Sequence, residues 1–171
     1  MLRWFLSRQI TAAERRFGAS LDYLRDMLAA TPVLVLRFGA GTALLGRRRR
    51  APRDAWHVAA LVGTLHEDCG TCLQIGVNLA RKDGVPTEVL RAVIDRAPER
   101  LAAPLAEAWR FADAVCRADG SEGPWRDALR ARHGDEALIE LSLAVATARV
   151  FPTVKRGMGH AVSCALVKVE L

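Results

Sequence analysis

The stretch His66-Glu67-Asp68-Cys69-Gly70-Thr71-Cys72-Leu73-Gln74-Ile75-Gly76-Val77-Asn78, running on to Lys82-Asp83-Gly84-Val85-Pro86, decides how the rest of the chain is read. Acidic residues end one helix-length segment and a C-x-x-C pair opens the next. Asp83-Gly84-Val85-Pro86 then closes it, because glycine ends a helix and proline opens another. Two cysteines at this spacing can close a small disulfide at a helix start, where exposed amides stabilise a thiolate. The second thiol resolves the sulfenic acid or mixed disulfide formed on the first. Such chemistry needs groups that move protons, and His57, His66, Glu67 and Asp68 are the local candidates. Charged carboxylates beside the thiols would oppose thiolate formation, so they must point away or act at a distance. A continuous helix would put His66, Cys69 and Cys72 on one side, with Glu67, Gln74 and Asn78 near the other. A break at Asp68–Gly70 would free Glu67 from that constraint.

Outward from the motif, glycine and proline divide the chain into helix-length pieces. Residues 8–29 read as one amphipathic helix with Phe17, Leu21, Leu24 and Leu28 on a stripe. Thr31-Pro32 restarts a helix that runs to Leu45 and ends at Gly46, and another spans Arg53–His66. Beyond Pro86, Val89, Leu90 and Val93 form the apolar face of a short helix, and a longer one covers Leu105–Arg117. Asp119–Pro124 is a loop, Trp125–Arg132 a short helix closed by Gly134, and Asp135 caps a long apolar helix that Pro152 interrupts. A last helix is expected to about Leu166. The tail 167–171 alternates in polarity but could not form a sheet alone. The fold class is all-α, with residues 1–52 as an N-terminal basic helical segment and 53–171 as the core that carries the motif.

Ala, Leu and Arg dominate, a helix-forming palette, and 171 residues suffice for one domain with a core. The net charge of +6 is uneven: residues 1–53 hold 11 Lys/Arg against 3 Asp/Glu, and residues 54–171 hold 14 against 16. The peak is Arg47-Arg48-Arg49-Arg50. It reads as a solvated connector or a subunit-interface patch, since no aromatic residues are interleaved and no nucleic-acid module is visible. No nucleic-acid or membrane partner is therefore expected. Pro32–Leu45 is the most apolar window and is too short and interrupted to span a membrane. No secretory signal is evident, so a cytoplasmic location is expected, where a C-x-x-C pair points to catalysis or metal binding rather than a permanent staple.

The motif in this setting resembles the core of the carboxymuconolactone decarboxylase / alkyl hydroperoxidase D-like family. The similarity continues through Glu140–Ala146 and Arg149-Val150-Phe151-Pro152-Thr153-Val154-Lys155-Arg156, and covers residues 53–165. The resemblance implies an all-helical chain that assembles with itself as a trimer or hexamer. It implies a thiol-dependent antioxidant oxidoreductase in which Cys69 and Cys72 reduce a hydroperoxide or a protein disulfide, and an external dithiol then reduces the pair. It places peroxide attack on Cys72 and resolution on Cys69. No cofactor is expected. The redox members carry a histidine four residues after the second cysteine, where this chain has Gly76, and their relay glutamate corresponds to His57. The proton relay therefore does not carry over, and His57, His66 or Glu67 would substitute.

Other readings stay open. Decarboxylase members of the family act as lyases without the cysteine pair, and a non-catalytic oligomeric scaffold is a third class. His160 and Cys164, at i and i+4, could join Cys69 and Cys72 in a metal site. Cys116 reads as core, Trp109 and Trp125 as core or interface anchors, His133 as a surface helix end, and Asp68 as a helix cap. Gln74 and Asn78 read as a subunit contact.

Overall fold

A computed structural model of the protein describes residues 1–160; Cys164, the stretch 161–166 and the alternating tail lie outside the described residues. These residues form α-helices and one short 3-10 turn, with no strand among them. Helix α1 (Leu2–Phe17) turns its buried Leu6 and Ile10 inward and ends at Gly18, whose φ of 65° suits glycine. The continuous helix expected over 8–29 is therefore broken. Glu14 holds the break: its carboxylate accepts from the Leu21 amide (3.1 Å) and from Arg25 Nε (3.2 Å), and so starts α2 (Asp22–Ala30). Thr31 Oγ1 accepts from the Val33 amide and Pro32 opens α3 (Pro32–Leu45), as the sequence suggests.

The centre of the molecule is α4 (Arg53–Leu65), which is buried along most of its length and packs on α8, α7, α5 and α6. Helix α5 (Gly70–Lys82) follows, then the Gly84 turn at φ 84° and α6 (Thr87–Ile94). The 3-10 turn Pro98–Arg100 leads into α7 (Ala103–Arg117). The long α8 (Gly123–Gly157) bends at Gly134 (φ 82°, ψ 171°), where the sequence marks a stop. It does not stop at Pro152, contrary to expectation: Pro152 is buried inside the helix, which runs on to Gly157 before the chain turns at Gly159. Proline removes one backbone hydrogen bond, and packing on both sides holds the rest of the helix in register.

Leu61, Leu90, Leu129, Leu141, Val58 and Val145 fill the main core with almost no exposure. Gly63 decides the approach of α4 to α8. A Cβ there would stand 2.9 Å from the Val145 carbonyl oxygen, so only glycine allows the two backbones this close. By length and composition α8 is apolar enough to cross a membrane, but here it lies against α4 and α7. Trp109 is buried in the core and Trp125 packs on it, with the Arg110 guanidinium over its ring.

Helices α1–α3 close around a second apolar cluster of Leu6, Ile10, Leu21, Tyr23, Met27 and Leu28, which Val154 of α8 also joins. Their second tie to the core is Glu140, on α8. Its buried carboxylate accepts the amides of Arg49 (3.0 Å), Arg50 (2.9 Å) and Ala51 (2.8 Å). Burial pushes this carboxyl up, but the three amides outweigh it and hold the group below the usual carboxylate range. The arginine run is thus a connector whose backbone wraps an anion while its side chains stay exposed. Replacing the charge by an amide, Glu140→Gln, is expected to cost about 2 kcal/mol by chemical denaturation. Tryptic cleavage within Arg47–Arg50 should accelerate in the same variant; an unchanged cleavage rate would show that the anion does not anchor the connector.

Candidate functional site: a thiol pair beside an apolar cavity

The corner between α4 and α5 is built from a non-helical residue. Asp68 takes φ 48°, a left-handed conformation that aspartate tolerates better than most side chains. Asp68 is therefore the turn and not the cap; the capping position falls to Cys69, whose carbonyl accepts the first helical bond from Leu73 (2.8 Å). Cys69 sits at the mouth of α5 and Cys72 in its first turn. Their Sγ atoms are 2.8 Å apart, close but not disulfide-bonded. Both thiols lie where the unsatisfied amides of a helix start favour negative charge.

Cys69 is only 4% exposed. Across from it, 86 residues further along, Lys155 places its Nζ 3.9 Å from Cys69 Sγ, and this lysine is itself buried. A buried ammonium requires an anion, and a thiolate at this distance is one within reach. Cys72 is half-buried and lines an apolar cavity of about 360 Å³. The cavity lies between the N-terminal helices and the core, bordered by Phe17, Tyr23, Phe38, Trp56, Leu61 and Phe151 among others, with Lys155 and His57 also on its wall. Burial, together with the nearby Cys72 and Cys69 thiols, raises the Tyr23 hydroxyl well above its ordinary value, so it is a neutral phenol at any working pH.

The sequence-expected proton groups are separated by the structure. His57 reaches the cavity wall, and its Nε2 pairs with Asp83 Oδ2 at 2.9 Å. Burial lowers its pKa more than Asp83 raises it, so the ring is neutral at neutral pH. His66 caps α4 and turns to Asp113 of α7 (Nε2 to Oδ1, 2.9 Å); the helix break ends the shared face with the cysteines. Glu67 is 7% exposed and fully engaged. It accepts from Arg149 Nε (2.7 Å), Arg156 Nη1 (3.0 Å) and Thr153 Oγ1 (3.4 Å), while Arg156 also donates to its carbonyl (2.7 Å). Burial pushes the Glu67 carboxyl up, but the two guanidiniums outweigh that and hold it low. The half-buried Cys116 lies beside the same Arg149, and burial raises its thiol.

No group of three or more His, Cys, Asp and Glu among the described residues could hold a metal ion. His160 pairs with Asp26 of α2 (2.8 Å), and Cys164, the fourth member of the suggested metal set, lies outside the described residues. Gln74 and Asn78 bond each other (3.0 Å) on the outer side of α5.

Sequence reasoning passed over Lys155 and Tyr23. Lys155 did leave a signal: Ala144, Ala148, Phe151 and Lys155 follow one another at helical spacing, so a single cation continues an apolar stripe. Tyr23, the chain's one tyrosine, meets the thiols only through the tertiary fold and left none.

Glu67→Gln would leave two arginines facing a neutral amide. The expected loss is about 2 kcal/mol, below the roughly 3–5 kcal/mol of a fully buried pair. The discount follows because Arg149 and Arg156 are 39% and 53% exposed and water screens them. Because the Glu67 pKa lies below its ordinary 4.5, the wild-type clamp contributes fully above that pH and is lost as pH falls further. Denaturation midpoints of the two proteins should therefore converge in acid; a constant gap would remove the charge from the explanation. Compared with known protein families, curated proteins and solved structures, the chain matches none.

Proposed function

We propose that the chain is a thiol-dependent oxidoreductase that reduces an apolar organic hydroperoxide through Cys72 and Cys69. The observation that carries this reading is the pair of sulfurs 2.8 Å apart at the start of α5, with Lys155 Nζ against Cys69 and the cavity against Cys72. It accords with what the resemblance to the alkyl hydroperoxidase D-like group implies. Where such proteins carry a histidine, Gly76 borders the cavity, and a Cβ there would come within 2.9 Å of Leu61 Cδ2. Leu61 fills the place a side chain would take there, so no proton relay stands at this position.

In the proposed reaction the Cys72 thiolate attacks the terminal oxygen of the hydroperoxide. The O–O bond breaks, the alkoxide leaves as an alcohol after taking a proton, and Cys72 becomes a sulfenic acid. Cys69 then attacks the Cys72 sulfur, water leaves, and an intramolecular disulfide forms. An external dithiol returns both thiols by exchange, as the reducing cytoplasm would allow. The exposures fit this order, since Cys72 borders the cavity and Cys69 lies behind it. The aromatic and aliphatic wall favours a hydroperoxide with an apolar body over a protein disulfide, whose cystine would have to enter the cavity.

Cumene hydroperoxide, one equivalent, should remove two thiols and about two mass units from the native protein, reversibly with dithiothreitol. Cys69→Ser should stop at a sulfenic acid, and Cys72→Ser should not react. Hydrogen peroxide should react more slowly than the apolar hydroperoxide. Both thiols surviving intact would overturn the proposal, as would hydroperoxide reduction that persists in Cys69→Ser/Cys72→Ser. Because Lys155 stands against the resolving thiol, Lys155→Met should slow closure of the disulfide from the Cys72 sulfenic acid about tenfold near neutral pH, and the deficit should narrow as pH rises and the Cys69 thiolate forms without help. An unchanged rate would remove Lys155 from the mechanism.

A further inference from the structure

Helix α3 presents an anomaly. Its sequence, PVLVLRFGAGTALL, is apolar all round, which is the pattern of a buried helix, yet only Val35 is buried. Phe38 and Thr42 share the Val35 side and border the cavity. On the other side Val33, Leu36, Arg37, Ala40 and Leu44 follow one another at helical spacing, and all are exposed. Leu44 is 73% exposed.

The start of α1 adds further exposed apolar side chains close to the N-terminal end of α3. Arg3 Nη1 donates to the Ala29 carbonyl (3.3 Å), which sets Leu2, Trp4 and Phe5 beside the corner where α3 begins. Trp4 is 64% exposed, with the Arg8 guanidinium 4.9 Å from its ring. Nine of the eleven exposed large apolar side chains among the described residues fall within residues 1–45. Exposed apolar side chains gathered on the N-terminal helices, with almost none elsewhere, point to an interaction site there.

Charge selects the partner. The segment 1–53 carries 11 Lys/Arg against 3 Asp/Glu, and Arg47–Arg50 follow directly on Leu44-Leu45. A second copy docking through the same face would bring like charge against like charge. Nucleic acid would supply negative charge but no apolar layer for Leu36 and Leu44. One surface supplies both: negative headgroups over hydrocarbon. At 14 residues, α3 is about 21 Å long, too short to cross a bilayer and suited to lying in its plane. Trp4 fits the interfacial depth, and Arg37 can lay its stem along the apolar layer and keep its head among phosphates.

We propose that the outward face of α3 and the start of α1 dock on an anionic lipid bilayer. This revises the expectation drawn from the arginine run alone, and it stands apart from the thiol chemistry. The test uses the full-length protein with vesicles of phosphatidylcholine, alone or with an equal part of phosphatidylglycerol. Sedimentation should show binding on the order of tenfold tighter to the anionic vesicles, weakening as salt rises. Leu36→Ser/Leu44→Ser should reduce that binding on the order of tenfold. The same variant should leave the circular dichroism spectrum and Tm unchanged, because both positions are exposed. Arg47→Gln/Arg49→Gln should remove most of the salt-sensitive part. Equal affinity for neutral and anionic vesicles, or no sedimentation at low salt, overturns the proposal. So does a concentration-dependent dimer that Leu36→Ser/Leu44→Ser dissolves in the absence of vesicle binding, which would assign the face to self-association.

Discussion

A carboxylate as buried as Glu67 cannot remain charged without cations, and both of its guanidiniums come from α8, 82 and 89 residues further along the chain. That requirement fixes the last turns of α8 on the corner between α4 and α5. Arg149, Thr153 and Arg156 share one face of the helix at spacings of four and three. Ala144, Ala148, Phe151 and Lys155 share another. Once the first face is held by Glu67, the second is aimed at the cavity, and Lys155 arrives beside Cys69. The thiol environment is thus a by-product of a structural ion pair that touches neither sulfur.

A parallel arrangement governs the N-terminal helices. Glu140, on the same α8, draws in the backbone of residues 49–51 and so sets where α3 ends and α4 begins. With α3 placed, Val35, Phe38 and Thr42 become one wall of the cavity and α4, α5 and α8 the others. Gly63 allows α4 and α8 the close approach that keeps these walls together. Two buried glutamates and one glycine, of which only Glu140 is remote from the cysteines in sequence, therefore determine what the cysteines face.

Much of the segmentation was legible in the chain because it is local. Thr31-Pro32, Gly46, Asp83–Pro86 and Gly134 act within a few residues, and the structure turns or restarts at each. Gly18 was missed because the stripe Phe17, Leu21, Leu24, Leu28 runs across it: the two short helices keep the same inward face, so periodicity hides the break. Pro152 was misread for the opposite reason. The local cost of a proline is real, but tertiary packing overrides it. The position of the two cysteines at a helix start was readable, and their immediate environment was not. Glu67 and His66 looked like proton carriers from adjacency alone. Which partners they would meet depends on Arg149, Arg156 and Asp113, and no local pattern encodes those distances.

Helix α3 faces two ways. Its inner side borders the space in front of Cys72, and its outer side carries the exposed leucines. The N-terminal third is therefore no appendage to a C-x-x-C module. Trimming the chain back to the motif-bearing helices would strip a wall from the cavity and convert a shielded thiol into an ordinary surface cysteine. It would then be open to any passing oxidant, with nothing left to discriminate among them.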